Sequence, residues 1–268
     1  MRIATFNILH GQSPADGLVD VDRFAAAVRT LDADVLALQE VDRGQPRSHG
    51  ADLAAVAADA MGALEHRYVA TMVGAPPRWS PTAEDSPLHG PSYGVALLSR
   101  VPVREWRIIR LPVLHGRIPV LLPGSPRPTI VRDEPRAAIA AVLQTAHGPL
   151  TVLTTHLTLI PGWNILQLRY ALRHARDLPG PLVVLGDLNL AGAWPARATG
   201  MRPLANAGTI PVTAPVRQLD HILGRGVVHP TSDGAGLDLG MSDHRALAVE
   251  IELGAAAEAG TARRRWGA

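Results

Sequence analysis

The sequence predicts an α+β protein built on two β-sheets. Segments typical of strands outnumber segments typical of helices along the chain, which favours two sheets over one doubly wound parallel sheet. A chain of 268 residues, 47% of them hydrophobic, can bury one sizeable core, and two-sheet folds routinely use this much chain as a single domain. The sequence shows neither an internal repeat nor an obvious linker. We therefore expect one domain over residues 1–253.

The first half of the chain begins with an apolar strand and an amphipathic helix. A strand is expected where Ile3-Ala4-Thr5-Phe6 runs into Asn7. The following helix has Asp20 or Asp22 as its N-cap and an apolar face that includes Phe24 and Leu31. The elements expected in this half are strands at 2–7, 34–40, 66–73, 93–99 and 103–110 and helices at 20–31 and 50–63.

The second half contains the clearest strand, the apolar run Leu182-Val183-Val184-Leu185 between Pro181 and Gly186. The elements expected here are strands at 137–144, 149–156, 181–187, 217–223 and 245–252, a helix at 163–177 and a short helix near 194–199. Two long segments, 74–92 and 111–135, are predicted to be loops at the rim of a site. The tail, 254–268, is predicted to be flexible.

Composition limits the class of site that the chain can build. Cysteine is absent, so a metal has to be held by oxygen or imidazole ligands rather than thiolates. The chain enters its first strand directly at Met1-Arg2-Ile3, which leaves no room for a signal peptide, and no apolar run has the length of a bilayer span. We expect a cytoplasmic protein without a membrane span, and a monomer.

Positive charge comes entirely from arginine, because none of the 26 basic residues is lysine. A GC-rich coding bias explains this as readily as function does, yet arginine also binds phosphate with two parallel hydrogen bonds. Seven arginines near predicted strand ends or on loops are candidates for phosphate contact: Arg43, Arg47, Arg78, Arg117, Arg127, Arg132 and Arg136.

Polar side chains follow the apolar strands at several points far apart in the chain. Asp187 and Asn189, in Gly186-Asp187-Leu188-Asn189, lie on one side of the end of a strand at period two. Taken alone, this pattern is equally typical of a turn. The same kind of ending recurs at Asn7, Glu40, His156, Asp220 and Ser242-Asp243-His244. Buried polar residues are costly unless paired or metal-bound, so this repetition indicates a shared pocket.

The ordered set T-F-N, L-Q-E, T-H-L, G-D-L-N, Q-L-D-H and S-D-H resembles the endonuclease/exonuclease/phosphatase superfamily, which includes DNase I. Each motif is short, but together they cover about residues 1 to 253 in the right order. The resemblance implies a DNase I-like four-layer α/β/β/α sandwich of two mostly antiparallel mixed sheets flanked by helices. It also implies metal-assisted hydrolysis of a phosphate ester.

The resemblance implies a metal site that binds Mg²⁺ or Mn²⁺. Glu40 is the first candidate ligand, with Asn7 and Asp243 completing the ligand set or reaching the metal through water. The alternative for Glu40 is a solvated strand end or an ion pair with Arg43. Some nucleases place an acidic residue two positions after the Asn, where this chain has Leu9.

Five residues are assigned to catalysis by the resemblance: His156, Asp187, Asn189, Asp220 and His244. His244 is expected to pair with Asp220, either as a proton carrier or charge stabiliser or as a structural link between strands. On an extended strand His244 faces away from Asp243, unless the backbone turns there. Either Asp187 or His244 can be the base that activates water.

The resemblance assigns His156 and two further residues, Tyr93 and Arg136, to the phosphate. His156 binds a non-bridging oxygen or protonates the leaving group, with Glu134 and Asp133 as candidate acidic partners. Tyr93 and Arg136 are candidate phosphate contacts, although a Tyr at a strand start is more often a packing residue. His10 is given a place at the rim.

These assignments favour a divalent-metal phosphodiesterase as the function. The substrate is open between nucleic acid, a phosphorylated small molecule and a lipid head group, the last needing an exposed apolar hairpin near residues 118–122. A small substrate needs the loops 74–92 and 111–135 as walls, lined by Trp79 and Trp163. A non-catalytic phosphate-binding module is the alternative from another class, and nothing in the sequence favours a purely structural role.

Overall fold

The computed structural model describes residues 1–82, 90–121 and 127–254. From residue 255 onward the predicted flexible tail lies outside the described residues. Its first residue, Gly254, is fixed, because its N–H donates to the carbonyl oxygen of Val227 at 3.1 Å. Within the described part of the chain, no helix has the length and apolar character needed to cross a bilayer.

The described elements follow the predicted order closely. The strands are β1 Arg2–Asn7, β2 Val35–Arg43, β3 Glu65–Ala75, β4 Arg78–Pro81, β5 Ser92–Ser99, β6 Val103–Arg110, β7 Ile118–Val120, β8 Thr129–Val131, β9 Ala137–Thr145, β10 Gly148–His156, β11 Leu182–Asp187, β12 Arg202–Pro203, β13 Asp220–Arg225, β14 Val228–Pro230, β15 Ala235–Leu237 and β16 Ala246–Leu253. The α-helices are α1 Val21–Leu31, α2 Leu53–Met61, α3 Trp163–His174 and α4 Trp194–Thr199.

The strands form two mixed sheets and one small hairpin. The larger sheet has the order β14-β16-β1-β2-β5-β3-β4, with β15 also paired to β16, and the six-stranded sheet has the order β12-β13-β11-β10-β9-β6. Strands β7 and β8 pair with each other. The parallel pairs are β1 with β2 and β10 with β11, and the other pairs in the two sheets are antiparallel. The predicted pair of mostly antiparallel mixed sheets is confirmed.

Three apolar layers hold the sheets and helices together. The central layer lies between the two sheets and includes Ile3, Val152 and Val183. A second layer packs α1 and α2 on the outer face of the larger sheet, and a third packs α3 on the outer face of the six-stranded sheet. The result is the predicted α/β/β/α sandwich, with each strand of a sheet centre buried on both faces.

Helices α1 and α2 each begin at an aspartate cap. The Asp20 side chain accepts hydrogen bonds from the N–H groups of Asp22 and Arg23, so Asp20 is the N-cap of α1 and Asp22 lies inside the helix. Helix α2 begins later than predicted because Asp52 is its cap, and it ends at Gly62 in the left-handed conformation.

The two segments predicted as loops without regular structure contain strands, and that prediction was wrong. Strand β4 lies within 74–92, and the β7–β8 hairpin lies within 111–135. Strand β13 begins at Asp220 rather than at residue 217, and three short strands, β12, β14 and β15, were not foreseen. Such short strands form by backbone pairing to an existing edge, which leaves little periodic pattern in the sequence.

Candidate active site

Polar side chains cluster where the inner faces of the two sheets open at one end. Asn7, His156 and Asp187 are each the last residue of a strand, and the residue four positions earlier in each case belongs to the apolar layer between the sheets. Because side chains alternate along a strand, all three point to that same inner face. The sequence predicted such alternation for Asp187 and Asn189, but β11 ends at Asp187 and Asn189 has φ +49°, so Asn189 reaches the same cavity from beyond the strand.

The six-stranded sheet sets two of these side chains next to each other by register. His156 on β10 is opposite Asp187 on β11, and Asp187 is opposite Asp220 on β13. The close pairing requires glycine at position 186, because a Cβ there would lie 2.0 Å from the carbonyl oxygen of Thr155. Gly186 also has φ +145°, which L side chains rarely adopt.

Glu40 reaches the same region through an irregularity of β2. Leu36 and Leu38 pack against the outer helices, so regular alternation would place Glu40 on the outer face as well. Instead the register of β2 with β5 shifts between Leu38 and Val41, and Glu40 has φ +58°. This bulge turns the carboxylate toward the site, at the cost of a left-handed backbone at a non-glycine residue.

The segment Ser242-Asp243-His244 is a turn rather than an extended strand. Ser242 has φ +62°, its hydroxyl donates to the carbonyl oxygen of Asn7 at 2.7 Å, and the hydroxyl oxygen accepts from the N–H of His244 at 3.1 Å. The turn lets Asp243 and His244 line the same cavity, as the sequence required for both to act together.

A cavity of about 740 Å³, called the cleft below, collects most of the predicted site residues. The nine that line it are Asn7, Glu40, Tyr93, Arg136, His156, Asp187, Asn189, Asp243 and His244. The tenth, Asp220, is fully buried behind His244 and contacts that ring. The structure thus brings the ten residues together, while their individual roles stay predictions.

One oxygen atom of Asp187 is the centre of this cluster. Asp187 Oδ2 accepts a hydrogen bond from the Asn7 amide at 3.1 Å and lies 3.6 Å from His156 Nε2 and 3.9 Å from His244 Nε2. Its other oxygen, Oδ1, accepts from the N–H of Asn189 at 3.0 Å. The Asn189 amide is held in turn by the carbonyl oxygen of Leu157, so Asn189 positions Asp187.

Asn7 joins the two candidate carboxylates. Its side-chain nitrogen donates to Glu40 Oε1 at 3.0 Å as well as to Asp187, and its oxygen accepts from the N–H of Leu9 at 3.1 Å. In this arrangement the Asn7 oxygen is turned away from Glu40. Ligation of a metal by Asn7 would need its amide to rotate, whereas Glu40 and Asp243 can offer oxygen without such a change.

His156 has a cationic partner, so the expected acidic partners were wrong. Arg136 Nη1 donates to His156 Nδ1 at 3.1 Å. Glu134 pairs with Arg136 at 3.2 Å, and Asp133 accepts from the N–H of Leu114. Burial, and then the charge of Arg136, hold the pKa of His156 well below its ordinary value. The ring is therefore neutral, with its proton on Nε2 and directed at the cleft.

His244, unlike His156, is positively charged. Its Nδ1 donates to Asp220 Oδ2 at 2.8 Å. Burial opposes its charge, but the Asp220 carboxylate, followed by Asp187 and Asp243, raises the pKa of His244 to about 10. The predicted pair with Asp220 is present, and both ring nitrogens face carboxylate oxygens, so His244 is an imidazolium at neutral pH.

Burial disfavours the charged form of two carboxylates of the cleft. Burial, reinforced by the charge of Asp220, raises the pKa of Asp187 to about 7, although His244 opposes the shift. Burial also raises the pKa of Glu40, against the Asn7 hydrogen bond and the Arg136 charge, and Asp243 adds to the shift. Oxygen donors that share uncompensated negative charge are suited to a hard dication, so the residues present fit Mg²⁺ or Mn²⁺.

A second group of ligand atoms also meets the geometric requirement for a metal. Asp187, Asp220 and His244 each offer one atom, and these atoms lie within 4.8 Å of one another. His244 and Asp220, two of those three residues, are already joined by the short hydrogen bond from Nδ1 to Oδ2. Binding a metal through those two atoms would break that bond, so this trio is a less suitable site than the oxygens beside Glu40.

Most other arginines near the site are already paired. Arg43 pairs with Asp52 at 3.0 Å, which removes the Glu40–Arg43 ion pair considered from the sequence. Of the seven arginines proposed from the sequence, Arg136 alone is found among the described residues that line the cleft. Arg217 also lines the cleft but was not among the arginines proposed from the sequence. Its position directly before the Q-L-D-H motif could have indicated that it lies at the site.

Two smaller pockets open from the cleft. The Trp79 pocket, about 480 Å³, shares Glu40, Tyr93 and Glu134 with the cleft. Its described lining is His10, Glu40, Arg47, Met72, Pro76, Trp79, Tyr93 and Glu134. The Trp194 pocket, about 320 Å³, shares Leu159, Pro161, Asn189 and Ala191 with the cleft. The remainder of its described lining is Gly162, Asn164, Ile165, Leu190 and Trp194.

The segments expected to wall the site do contribute to it. Pro76 and Trp79 come from 74–92, and Val120, Leu121 and Glu134 come from 111–135. Leu121 is 64% exposed whereas Val120 is buried, and Leu122 lies outside the described residues, so the exposed apolar hairpin considered for a lipid head group stays a prediction. Trp163 donates instead to the carbonyl oxygen of Pro112 and is absent from the described lining of all three cavities.

Comparison with known proteins gives one family. A model described as the Endonuclease/Exonuclease/phosphatase family matches residues 4–244. No curated protein matches the chain.

Several solved structures share the fold. An endonuclease/exonuclease/phosphatase from Beutenbergia cavernae is 24% identical with a TM-score of 0.69, over 95% of this chain and 72% of that one. A mannosyl-6-phosphatase from Bacteroides thetaiotaomicron is 16% identical with a TM-score of 0.60, over 94% of this chain and 100% of that one. The human Nocturnin catalytic domain is 18% identical with a TM-score of 0.59, over 95% and 94%.

Proposed function

Because this chain belongs to the endonuclease/exonuclease/phosphatase family, we propose that it is a divalent-metal-dependent phosphodiesterase. The observation that carries the proposal is the convergence of carboxylates, imidazoles and a guanidinium on one cleft. Family members are generally phosphoester hydrolases, which need to activate water, to stabilise developing negative charge and to release an oxygen leaving group. The cleft has candidates for each task.

Glu40 and Asp243, with Asn7 after rotation of its amide, are the residues that would hold Mg²⁺ or Mn²⁺. When bound, the cation supplies charge compensation for the phosphate and the leaving oxygen. The environment of Glu40 supports this assignment, because burial and the nearby Asp243 carboxylate raise the pKa of Glu40 and a cation would offset both effects. The bulge that aims Glu40 inward supports it too, because a strained backbone persists where the surrounding structure requires it.

Asp187 is the proposed base that accepts a proton from the attacking water. Asn189 and Asn7 hold its two oxygens in place. His244 is unsuited to this role, because the Asp220 and Asp187 carboxylates face its two nitrogens and keep both protons on the ring. Of the two bases left open by the sequence, Asp187 is the better candidate.

His244, His156 and Arg136 are the proposed donors to phosphate oxygens. His244 presents a charged Nε2–H next to Asp187, and His156 presents a neutral Nε2–H held by Arg136. Donors fixed before the substrate arrives stabilise the charge that develops in the transition state. Asp220 acts through His244, as a positioning residue.

The two side pockets support a diester rather than a monoester as the substrate. They open from the cleft through different residues and share no lining residue in their described parts. A diester has two substituents on phosphorus, one for each pocket. Solved structures of similar fold include a mannosyl-6-phosphatase and the Nocturnin catalytic domain with bound sulfate, and the fold alone does not determine the substrate.

A small substrate is favoured over nucleic acid by the walls of the cleft. The β3–β4 side and the β7–β8 hairpin supply lining residues, whereas a nuclease needs an extended basic groove with unpaired cations. Two arginines near the site, Arg43 and Arg47, are instead paired with carboxylates.

The test is hydrolysis of bis-p-nitrophenyl phosphate by the full chain with Mg²⁺, Mn²⁺ or EDTA. Activity is expected with either metal, is abolished by EDTA and returns when the metal is restored. A parallel panel of plasmid DNA, single-stranded RNA, sphingomyelin and small diesters is expected to show small diesters as the best substrates. Activity that persists in EDTA would contradict the proposal. If DNA is the best substrate, the chain is a nuclease and the proposal of a small substrate is wrong.

A further inference from the structure

The Trp79 pocket extends beyond the proposed catalytic set, with which it shares Glu40 and Tyr93. Trp79 and Tyr93 meet edge to face, with ring centroids 5.3 Å apart and planes at 81°. Trp79 lies on β4 opposite Gly74, where a Cβ would be 2.4 Å from the carbonyl oxygen of Arg78. Glycine at 74 therefore allows the tight β3–β4 pairing that places Trp79 beside Tyr93.

Arg47 contributes a positive charge to this pocket. Its guanidinium binds Asp42 with two hydrogen bonds, 2.8 Å from Nε and 2.7 Å from Nη2. Asp42 is fully buried, so the pair is fixed by a carboxylate that has no access to solvent. The guanidinium carbon also lies 5.4 Å from the Trp79 ring centroid and 5.6 Å from that of Tyr93.

This arrangement discriminates against a cationic substituent. One face of each ring already interacts with Arg47, which weakens the attraction of these rings for an ammonium group. A second cation in the pocket would meet the guanidinium at short range, and repulsion between like charges is strong where water is partly excluded.

The pocket discriminates against a second anionic group as well. Among its described lining residues, Arg47 is the permanent cation, and Asp42 neutralises it. Glu40 and Glu134 add two carboxylates at the side shared with the cleft. A neutral substituent remains, and carboxylates, which only accept hydrogen bonds, favour one that presents hydroxyl donors.

We propose that the Trp79 pocket is the specificity site for one arm of the substrate, and that this arm is a neutral ring bearing hydroxyl groups. The inference rests on the proposed phosphodiesterase activity. The apolar face of such a ring packs on Trp79, and its hydroxyl groups donate to Glu134. The substrate class is thus a phosphodiester of a sugar or cyclitol that carries no further charged group.

The experiment compares three diesters that share the glycerol phosphate arm. Glycerophosphoinositol carries a neutral hydroxylated ring, glycerophosphoglycerol carries a neutral open chain, and glycerophosphocholine carries a cation. The full chain with Mg²⁺ is expected to hydrolyse the inositol ester with a kcat/KM about tenfold above that of the glycerol ester. The choline ester is expected to be the poorest of the three.

Two tryptophan variants test whether the Trp79 pocket causes the preference. Trp79→Ala is expected to bring the inositol-to-glycerol ratio of kcat/KM close to one, and Trp79→Phe is expected to restore part of it. The matched control is Trp194→Ala in the other pocket, because Trp194 is 56% exposed. That control is expected to keep the ratio, since it faces the arm that the esters share. Thermal unfolding checks that each variant is folded.

Binding to the Asp187→Asn variant separates this inference from the proposed function. Calorimetric titration with Mg²⁺ present measures the Kd of each ester without turnover. Tighter binding of the inositol ester that is lost on adding Trp79→Ala supports the inference. This holds even if the wild-type chain hydrolyses none of the esters, because a lack of hydrolysis would contradict only the proposed function. Three results would overturn the inference. They are a choline ester bound or hydrolysed as well as the inositol ester, an inositol-to-glycerol ratio of kcat/KM unaffected by Trp79→Ala, and no binding of any ester.

Discussion

The two sheets contribute to the candidate active site by different means. In the six-stranded sheet, His156 and Asp187 are ordinary strand residues whose side chains follow the alternation of the strand into the cleft. In the larger sheet, Glu40 reaches the cleft through a bulge and a left-handed backbone. Regular backbone in the six-stranded sheet positions the proposed base and His156, whereas strained backbone in the larger sheet positions Glu40, the proposed metal ligand. We conclude that the two halves should respond differently to substitution.

The largest expected difference concerns metal dependence. Asp187→Asn removes the proposed base while keeping its shape, so kcat should fall by about 10²–10⁴-fold at every Mg²⁺ concentration. Glu40→Ala removes a metal ligand, so part of its lost activity should return as Mg²⁺ is raised. Metal titrations of bis-p-nitrophenyl phosphate hydrolysis measure both. Asp233→Asn, at an exposed carboxylate, is the control and should behave as wild type, whereas metal rescue of Asp187→Asn would reverse the assignment.

The next effect concerns the close strand pairing in the six-stranded sheet. In Gly186→Ala the new Cβ meets the carbonyl oxygen of Thr155 at 2.0 Å, so the strands have to separate, and unfolding free energy should fall by about 1–3 kcal/mol or more. Activity should fall too, because His156 and Asp187 move apart. The matched change is Gly200→Ala, which also has positive φ but open space. Equal destabilisation of the two variants in urea unfolding would show that the contact is unimportant.

A further effect concerns the protonation of His244. In the metal-free protein, NMR of its imidazole nitrogens should show a charged ring up to a pKa of about 10. Because this folded pKa is above the unfolded value of about 6.5, the resulting stability is fully present below that value and is lost as pH rises through about 10. Asp220→Asn should lower the pKa of His244. A ring that titrates near 6.5 in the wild type would contradict the charge-stabiliser role.

The smallest expected effect isolates the backbone strain at Glu40. Glycine tolerates φ +58° and alanine does not, so Glu40→Gly should be more stable than Glu40→Ala by about 1 kcal/mol in metal-free urea unfolding. At Asp187, which has ordinary strand geometry, alanine should instead be more stable than glycine by about 0.5–1 kcal/mol. The same sign at both positions would remove the contrast between the two sheets.

The sequence predicted the regular parts of the site well because alternation is a local property. Asn7, His156 and Asp187 could be placed on one face by counting along their strands, and the apolar runs before them located the sheets. The ordered motifs then gave the family and the sandwich architecture, and both are confirmed.

The irregular parts could not be predicted because they depend on contacts between distant segments. The bulge at Glu40 is defined by its register with β5, and the turn at Ser242 by a hydrogen bond to Asn7. The pairing of His156 with Arg136, rather than with an acid, likewise follows from how β9 and β10 lie together. The Trp79 pocket depends on β4, a strand of four residues inside a segment that composition marks as a loop.

An anomalous difference map from crystals of the full chain grown with Mn²⁺ tests the central claim most directly. The claim is that Glu40 and the cleft side chains form one site for a divalent cation. The account predicts a Mn²⁺ peak beside the Glu40 carboxylate, within the cleft and close to Asp187, that is missing in Glu40→Ala crystals. A map without a peak in the cleft, or with a peak that survives in Glu40→Ala, would contradict it.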